Sequence, residues 1–484
     1  MISRTHEVNN LIGGDRVGAA DGATFERRNP ADARQLFSVA PESTAADVTD
    51  AVTAAVDAVR TWRTTSPTAR SNVLSAAARL LAARADDLAA EMVSEEGKPL
   101  ADARNEASRT PKNLELYAGE AYRLFGATFP SDDTPLVYSV LDPVGVVAVI
   151  TPWNFPLNLA SRKIGPALAA GNAVVFKPSP MTPLMGARLA DAFVEAGLPP
   201  GVLNVVHGFD AGAHLVADTR VDAVTFTGST AVGHKIHAAS RLGQRLQLEL
   251  GGKNPVVVLA DADIQAAADV VARSSFSLTG QACTGAGRIL VEAAVYEELV
   301  EAVTERAAGH VLGAGDRDGV TMGPLVDDRA LSAMDAAVST ATDDGAKVVA
   351  GGARASGDGL DNGWFYPPTV LADARPDMEI SRREVFGPVI GFERVGSLDE
   401  AIAAANDVEY GLSAAICTRS LSAAQHFAAE IQAGMVRVNR PTVGAAFNAP
   451  FGGIKQSGTA THREQLGPTV MDFYTVSRTI WLGH

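Results

Sequence analysis

The sequence predicts an α/β protein built around a doubly wound parallel sheet, and three observations predict it. Between residues 144 and 251, apolar runs alternate with helical stretches: VGVVAVI (144–150), a helix over about 158–170, AVVF (173–176), a second helix, VLNVV (202–206), VDAVTF (221–226), a third helix and LQLEL (246–250). The runs are apolar throughout rather than at every second residue, as in strands buried on both faces. The connections between them are short, and short-linked strand–helix alternation builds an open parallel sheet covered by helices on each side.

The flanking elements read as follows. The first segment starts with short β-rich stretches. Thr44 and Asp47 then form a capping-box start signal, and Val48, Val52, Ala55, Val56 and Val59 recur behind it at helical spacing. A second amphipathic helix covers Pro67–Ala83, with Ser66 as cap and Pro67 in the first turn. Residues 122–143 break the helical pattern with turn residues between apolar stretches, as a β-hairpin leaving the main body would. The helix after Lys177 is punctuated by Thr182 as cap, Pro183 in the first turn and Gly197 at the stop. Residues 252–462 repeat the α/β alternation, with glycine-rich turns at 351–363, and the tail DFYTVSRTIWLG has β character. The expected division is 1–121 with 144–251, then 252–462, with 122–143 and 463–484 pairing as a small arm that makes a subunit contact. At 484 residues, two or three packed domains are the natural expectation.

Composition narrows the function classes. Apolar residues make up 46% and charged residues 20%, as in ordinary globular proteins, and the formal charge is −15. That charge argues against nucleic acid or an anionic membrane as a partner, and it requires locally placed positive charge wherever an anion binds. The only cysteines are Cys283 and Cys417, so a disulfide framework and a cysteine-based zinc site are not expected. Two free thiols, no signal-peptide pattern and no apolar run of the ~20 residues that span a bilayer point to a cytoplasmic protein.

Ligands of doubly wound sheets bind at the carboxyl ends of the strands, so the residues that follow each run are candidates. No G-x-G-x-x-G match occurs; VDAVTF runs instead into Thr227-Gly228-Ser229-Thr230-Ala231-Val232-Gly233 and a helix. Glycine lets a backbone approach a pyrophosphate, and a helix start offers N–H groups to negative charge. Taken alone, an ordinary glycine turn is the commoner reading. Lys177, ending AVVF, is placed to donate to ribose or phosphate oxygens, or is a solvated surface lysine.

Cys283, in LTGQACTGAG, has glycine-flanked backbone access and the chemistry of a nucleophile, although a lone cysteine is usually a small buried hydrophobe. Cys417, in GLSAAICT, fits the latter description. Glu249 is a carboxylate in an otherwise buried strand, either a general base with a raised pKa or half of an ion pair. Asn154, in TPWNFP, either aims an amide at an oxyanion or forms a turn between two prolines. His234 and His237 share a helix face but lack an acidic third ligand, so no metal site is expected.

Together these pieces resemble the aldehyde dehydrogenase superfamily over essentially the whole chain. The matching motifs, in order, are TPWNFP (151–156), FKPS (176–179), FTGST (226–230), LELGGKNP (248–255), GQAC (280–283), EVFGPV (384–389) and PFGGIKQSG (450–458). The resemblance implies NAD(P)⁺-dependent oxidation of an aldehyde to a carboxylic acid through a cysteine thioester. It assigns 1–121 with 144–251 to the dinucleotide, 252–462 to catalysis and the arm to a homodimer or homotetramer. Cys283 is then the nucleophile, Glu249 the general base, and Asn154 with the Cys283 N–H the oxyanion hole. Lys177, Ser179, Gly228, Ser229 and Gly233 fall at the adenosine and phosphates, and Trp153, Glu384 and Phe386 at the nicotinamide end. Lys163 falls on the proton path and Asn439 at the substrate.

Two positions depart informatively. Many NAD-preferring relatives carry a glutamate three residues after the FKPS lysine; here it is Pro180, which no longer repels a 2′-phosphate, so use of NADP as well as NAD is expected. Arg162, just before Lys163, resembles the arginine of semialdehyde dehydrogenases that grips a distal carboxylate, and PFGGIKQSG…HREQ…DFYT is similar to the α-ketoglutaric semialdehyde dehydrogenases. The alternative for Arg162 is an ion pair with an acidic neighbour, which would leave a broad-range aliphatic or aromatic aldehyde dehydrogenase. An acyl-phosphate reductase is disfavoured by Glu249 and the complete TPWNFP motif, and a non-catalytic scaffold by the intact Cys283, Glu249 and Asn154.

Overall fold

The computed structural model describes residues 5–463 and 465–483; Glu464 of the HREQ stretch lies outside them. The first long helix, Ala45–Trp62, begins with a closed capping box: Thr44 accepts from the Asp47 N–H, and the Asp47 carboxylate accepts from the Thr44 N–H at 2.7 Å. Ser66 caps the helix Pro67–Ala83 by accepting from the Ala69 N–H at 3.2 Å. The helix Pro183–Glu195 corrects the expectation for Thr182, whose hydroxyl makes no capping bond. Its free N–H groups go to Glu95 instead, which accepts from Leu184 at 2.8 Å and Met185 at 3.1 Å. A carboxylate from another helix does the capping, so the local sequence carries no sign of it.

Seven strands form the first sheet, in the order Arg245–Glu249, Ala223–Thr227, Val146–Ile150, Ala173–Lys177, Leu203–Val205, Asn10–Ile12 and Asp15–Val17. The first five run parallel, and the strand Asn10–Ile12 is antiparallel to Leu203–Val205. Alternate residues feed two cores. Val147, Val149, Val174 and Phe176 pack into one, while Val146, Ala148, Ile150, Val175 and Val224 pack into the other. Both faces are therefore covered, which explains the unbroken apolar runs.

From Val146–Ile150 the chain proceeds outward to Leu203–Val205, then returns to the other side for Ala223–Thr227 and Arg245–Glu249. The reversal leaves a crevice at the carboxyl ends of Val146–Ile150 and Ala223–Thr227.

A second seven-stranded sheet holds, in order, Lys347–Ala350, Thr369–Ala372, Val389–Val395, Ala286–Glu292, Asn254–Val258, Ser413–Cys417 and Met435–Val438, all parallel except the first. Cys417 is buried in its core. The excursion and the tail meet in a third, antiparallel sheet. Thr475–Leu482 lies beside Leu136–Pro143, which pairs on its other side with Thr128–Phe129.

The helix Ile264–Phe276 passes into the Cys283 loop through three residues in the left-handed region: Leu278 (φ 54°), Thr279 (φ 56°) and Gly280 (φ 69°). A β-carbon on Gly280 would lie 2.3 Å from the carbonyl carbon of Gly387, so glycine is required both by conformation and by contact. Gly280→Ala is expected to cost about 1–3 kcal/mol in strain alone. Its melting temperature should fall by several degrees; an unchanged melting temperature would contradict this account.

Candidate active site

Four adjacent strands of the first sheet end at the crevice, and each delivers candidate residues there. Lys177 ends its strand, buried, with no ion pair among the described residues. Burial lowers its pKa to about 8, against the opposing pull of Glu42 and Asp210. Ser179, just beyond, accepts from the Met181 N–H at 3.2 Å and keeps its hydroxyl proton for another acceptor.

The strand Ala223–Thr227 runs through Gly228 to Ser229, which caps the helix Thr230–Ala239 by accepting from the Val232 N–H. Ser229, Ala231 and Val232 are exposed, so this helix start is open to a ligand. A β-carbon on Gly233 would lie 2.5 Å from a Leu250 methyl; glycine lets the helix sit close against the sheet. At the other end of the crevice, Trp153 meets Phe386 edge to face with ring centroids 5.6 Å apart, and Phe386 is held at φ 57°. Nearby, Glu384 accepts from the Gly252 N–H at 3.3 Å, and burial raises its carboxyl to about 7. These groups fit a dinucleotide: an open helix N-terminus, a buried cation without a counter-ion, and a carboxylate beside an aromatic pair.

Cys283 sits half-buried where the two sheets face each other, against Leu412, Phe451 and Leu466. Burial pushes its thiol up to about 12; the charges of Glu384 and Glu249 push the same way, and Arg162 opposes them. Its backbone N–H donates to no protein group among the described residues. Asn154 reaches across from the first sheet, donating from Nδ2 to the Gln281 carbonyl at 2.9 Å, which leaves its second amide hydrogen free beside the Cys283 loop. Glu249 is buried at the end of Arg245–Glu249, close enough for its charge to raise the pKa of Lys163. Lys163 is fully buried and donates to Thr225 Oγ1 at 2.8 Å; burial brings its pKa down to about 7.

A cavity of about 690 Å³ opens in front of the thiol, lined by Arg162, Phe155, Phe451 and Thr284 among others. Arg162 lies over the Phe451 ring at 5.6 Å and forms no ion pair among the described residues. Glu106, an acid of the same cavity whose charge reaches Arg162, is held by Lys98 at 2.6 Å. One sequence-based placement is corrected. Asn439 does not line this cavity, because its amide is engaged on both sides by Thr418, accepting from its N–H at 3.0 Å and donating to its carbonyl at 2.9 Å. Its neighbours Arg437 and Arg440 line the cavity instead, with Arg109 and Arg273, and none of these four was singled out in the sequence. Also missed were Lys98 and Glu106, which hold the Asn154 loop. Among the described residues no cluster of His, Cys, Asp or Glu is arranged to hold a metal, and no helix is long and apolar enough to cross a membrane.

The model of the aldehyde dehydrogenase family matches residues 17–480. The chain belongs to that family. It is 40% identical over 480 residues to the α-ketoglutarate semialdehyde dehydrogenase of Haloferax volcanii, covering 98% of each chain. The crystal structure of an NAD-dependent aldehyde dehydrogenase from Sinorhizobium meliloti superimposes with a TM-score of 0.95 at 36% identity, covering 100% of this chain and 96% of the other. An E. coli NADP-dependent enzyme matches with a TM-score of 0.94 at 34% identity, covering 99% and 98%. The α/β fold is therefore that of aldehyde dehydrogenases, and the protein is an NAD(P)-dependent oxidoreductase acting on an aldehyde.

In this aldehyde dehydrogenase without dinucleotide, the raised Cys283 thiol should make iodoacetamide alkylation climb about tenfold per pH unit, with no plateau below pH 9. Arg162→Ala removes a charge that favours the thiolate, so alkylation at a given pH should slow further. A plateau near pH 7, or faster alkylation of the variant, would refute this electrostatic picture.

Proposed function

We propose that this aldehyde dehydrogenase oxidises a semialdehyde bearing a distal carboxylate, with α-ketoglutaric and succinic semialdehydes as the substrate class. The observation that carries the proposal is Arg162: a buried guanidinium in the same cavity as the Cys283 thiol, with no acidic partner among the described residues. A desolvated guanidinium without a counter-ion is costly unless an anion arrives to pair with it. The name of the Haloferax volcanii relative supports the same class.

The residues act as follows in this reading. Arg162 holds the carboxylate and so directs the aldehyde carbon towards Cys283. Cys283 gives up its thiol proton to Glu249, which passes it to solvent, and the resulting thiolate adds to that carbon; the developing oxyanion is stabilised by the Cys283 N–H and the free amide hydrogen of Asn154. Losing one such donor typically costs about 3–4 kcal/mol of transition-state stabilisation. When bound, NAD(P)⁺ supplies the hydride acceptor, held by Lys177, Ser179, Ser229 and Gly228 at one end and by Trp153, Glu384 and Phe386 at the other. After hydride loss, Cys283 carries the acid as a thioester. Glu249 takes a proton from the water that hydrolyses it, and Lys163, fixed by its bond to Thr225, lies close enough for its charge to bear on that carboxylate. The first sheet thus carries the cofactor and the second the nucleophile, and the small antiparallel sheet serves contact between subunits of a homo-oligomer.

For the cofactor, we infer that NADP⁺ is used as well as NAD⁺. Pro180 supplies no carboxylate against a 2′-phosphate, and Lys177 and the Ser179 hydroxyl stand ready to donate to one. A kcat/KM with NADP⁺ within a hundredfold of that with NAD⁺ is expected, measured with one aldehyde; a larger preference for NAD⁺ rejects the inference. Arg162→Ala should raise KM for succinic and α-ketoglutaric semialdehydes at least tenfold, about what a charge-assisted hydrogen bond contributes. The KM for propanal should move much less. Unchanged semialdehyde KM values would leave Arg162 without a substrate role.

A further inference from the structure

Arg162 is one of five arginines around the cavity; Arg109, Arg273, Arg437 and Arg440 are the others, against the two carboxylates Asp102 and Glu106. The chain carries 56 acidic residues and 41 lysines and arginines, and carboxylates are easily found elsewhere on its surface, as in Arg84–Glu195 and Arg188–Glu91. None of the five cavity arginines forms an ion pair among the described residues. Glu106 offers them little, because it is held by Lys98 at 2.6 Å and accepts from the Leu157 and Asn158 N–H groups at 3.0 Å.

The arginines are graded along the cavity. Arg162 is buried at the thiol end, Arg109 and Arg437 are half-buried, and Arg273 and Arg440 are exposed. Arg109 and Arg437 donate to the carbonyls of adjacent residues, Ala445 and Gly444, so both guanidiniums are fixed on one loop. The Arg437 Nε is buried without a partner, and Arg440 is close enough for the two like charges to disfavour each other. Size points the same way. A cavity of about 690 Å³ lies within the ~300–1,000 Å³ range of sites for drug-sized ligands, larger than a five-carbon chain fills.

We propose that Arg437 and Arg440, with Arg109 and Arg273 beside them, form a second anion subsite at the outer end of the tunnel. The tunnel then also takes semialdehydes that carry a further anionic group beyond the carboxylate on Arg162, and holds them more tightly than those without it. The proposal rests on the reading of this cavity as the substrate tunnel, with Arg162 as its inner contact.

The test uses straight-chain dicarboxylates from succinate to suberate, and the monocarboxylates of equal length, as competitive inhibitors of propanal oxidation by the full-length enzyme. At one chain length the dicarboxylate should bind at least tenfold more tightly than its monocarboxylate. In Arg437→Gln/Arg440→Gln that gain should disappear while monocarboxylate inhibition shifts less than threefold, and Arg437→Lys/Arg440→Lys should retain most of it. Equal inhibition by both series at every length overturns the proposal, as does a loss in the glutamine variant that is the same for both series. The chain-length profile is measured on the wild type, so it decides even if a variant fails to fold. Arg162→Ala separates the two readings. Monocarboxylate inhibition that survives it defeats the inner contact, whereas the outer subsite stands or falls on the dicarboxylate gain.

Discussion

The site depends on a buried ion pair at its back. Lys98 and Glu106, both almost fully buried, meet at 2.6 Å, with Glu96 completing the lysine's coordination at 3.1 Å. Lys98 also donates to the Asn154 carbonyl at 2.8 Å, and Glu106 accepts from Leu157 and Asn158 at the start of the next helix. These bonds hold the turn that carries Trp153 and Asn154 at Asn154 itself and at its exit into the helix, and Asn154 in turn grips the Cys283 loop at Gln281. Desolvating such charges is expensive, and removing one partner of a buried pair typically costs about 3–5 kcal/mol. The pair is therefore better understood as fixing the geometry of the turn than as a source of net stability.

How much of this was legible in the sequence follows from the range of each interaction. Uniformly apolar runs announced the parallel strands because both sheet faces are covered, and the Thr44 and Ser66 caps were readable because their bonds span three residues. Thr182 misled because its helix is capped from Glu95, 89 residues before the Leu184 N–H it accepts from. The thiol, carboxylate and amide were legible as chemistry-bearing residues at strand ends, but only the order of several motifs distinguished them from a buried cysteine, an ion pair and a turn. Asn439 shows the limit of carrying a role over by position: it falls on a family position, yet Thr418 occupies its amide. The outer arginines left no local signal, since they come from two helices and the end of a strand and become neighbours only through packing.

Electrostatics divides the molecule into two regimes. The chain as a whole is acidic, with a formal charge of −15, and its surface is laced with exposed ion pairs, each worth little in water. The cavity inverts this, with guanidiniums that lack counter-ions and a thiol whose ionisation is held back by burial and by two carboxylates. Arg162 opposes those carboxylates at the sulfur. One guanidinium therefore bears both on which aldehydes enter and on how readily the nucleophile forms.

Because neighbouring parts of the site are distant in the chain, its assembly order is constrained. Lys98 meets a residue 56 positions on, Asn154 one 127 on, and Arg109 a carbonyl 336 on. Structures dominated by such non-local pairings form slowly, and the N-terminal portion of a nascent chain emerges first. The ribosome will have released most of the polypeptide before the loop that Arg109 clasps exists. A chain truncated before residue 440 would lack not only the loop that closes the chamber around the sulfur but also Met471, Phe473 and Tyr474, which complete one core of the first sheet.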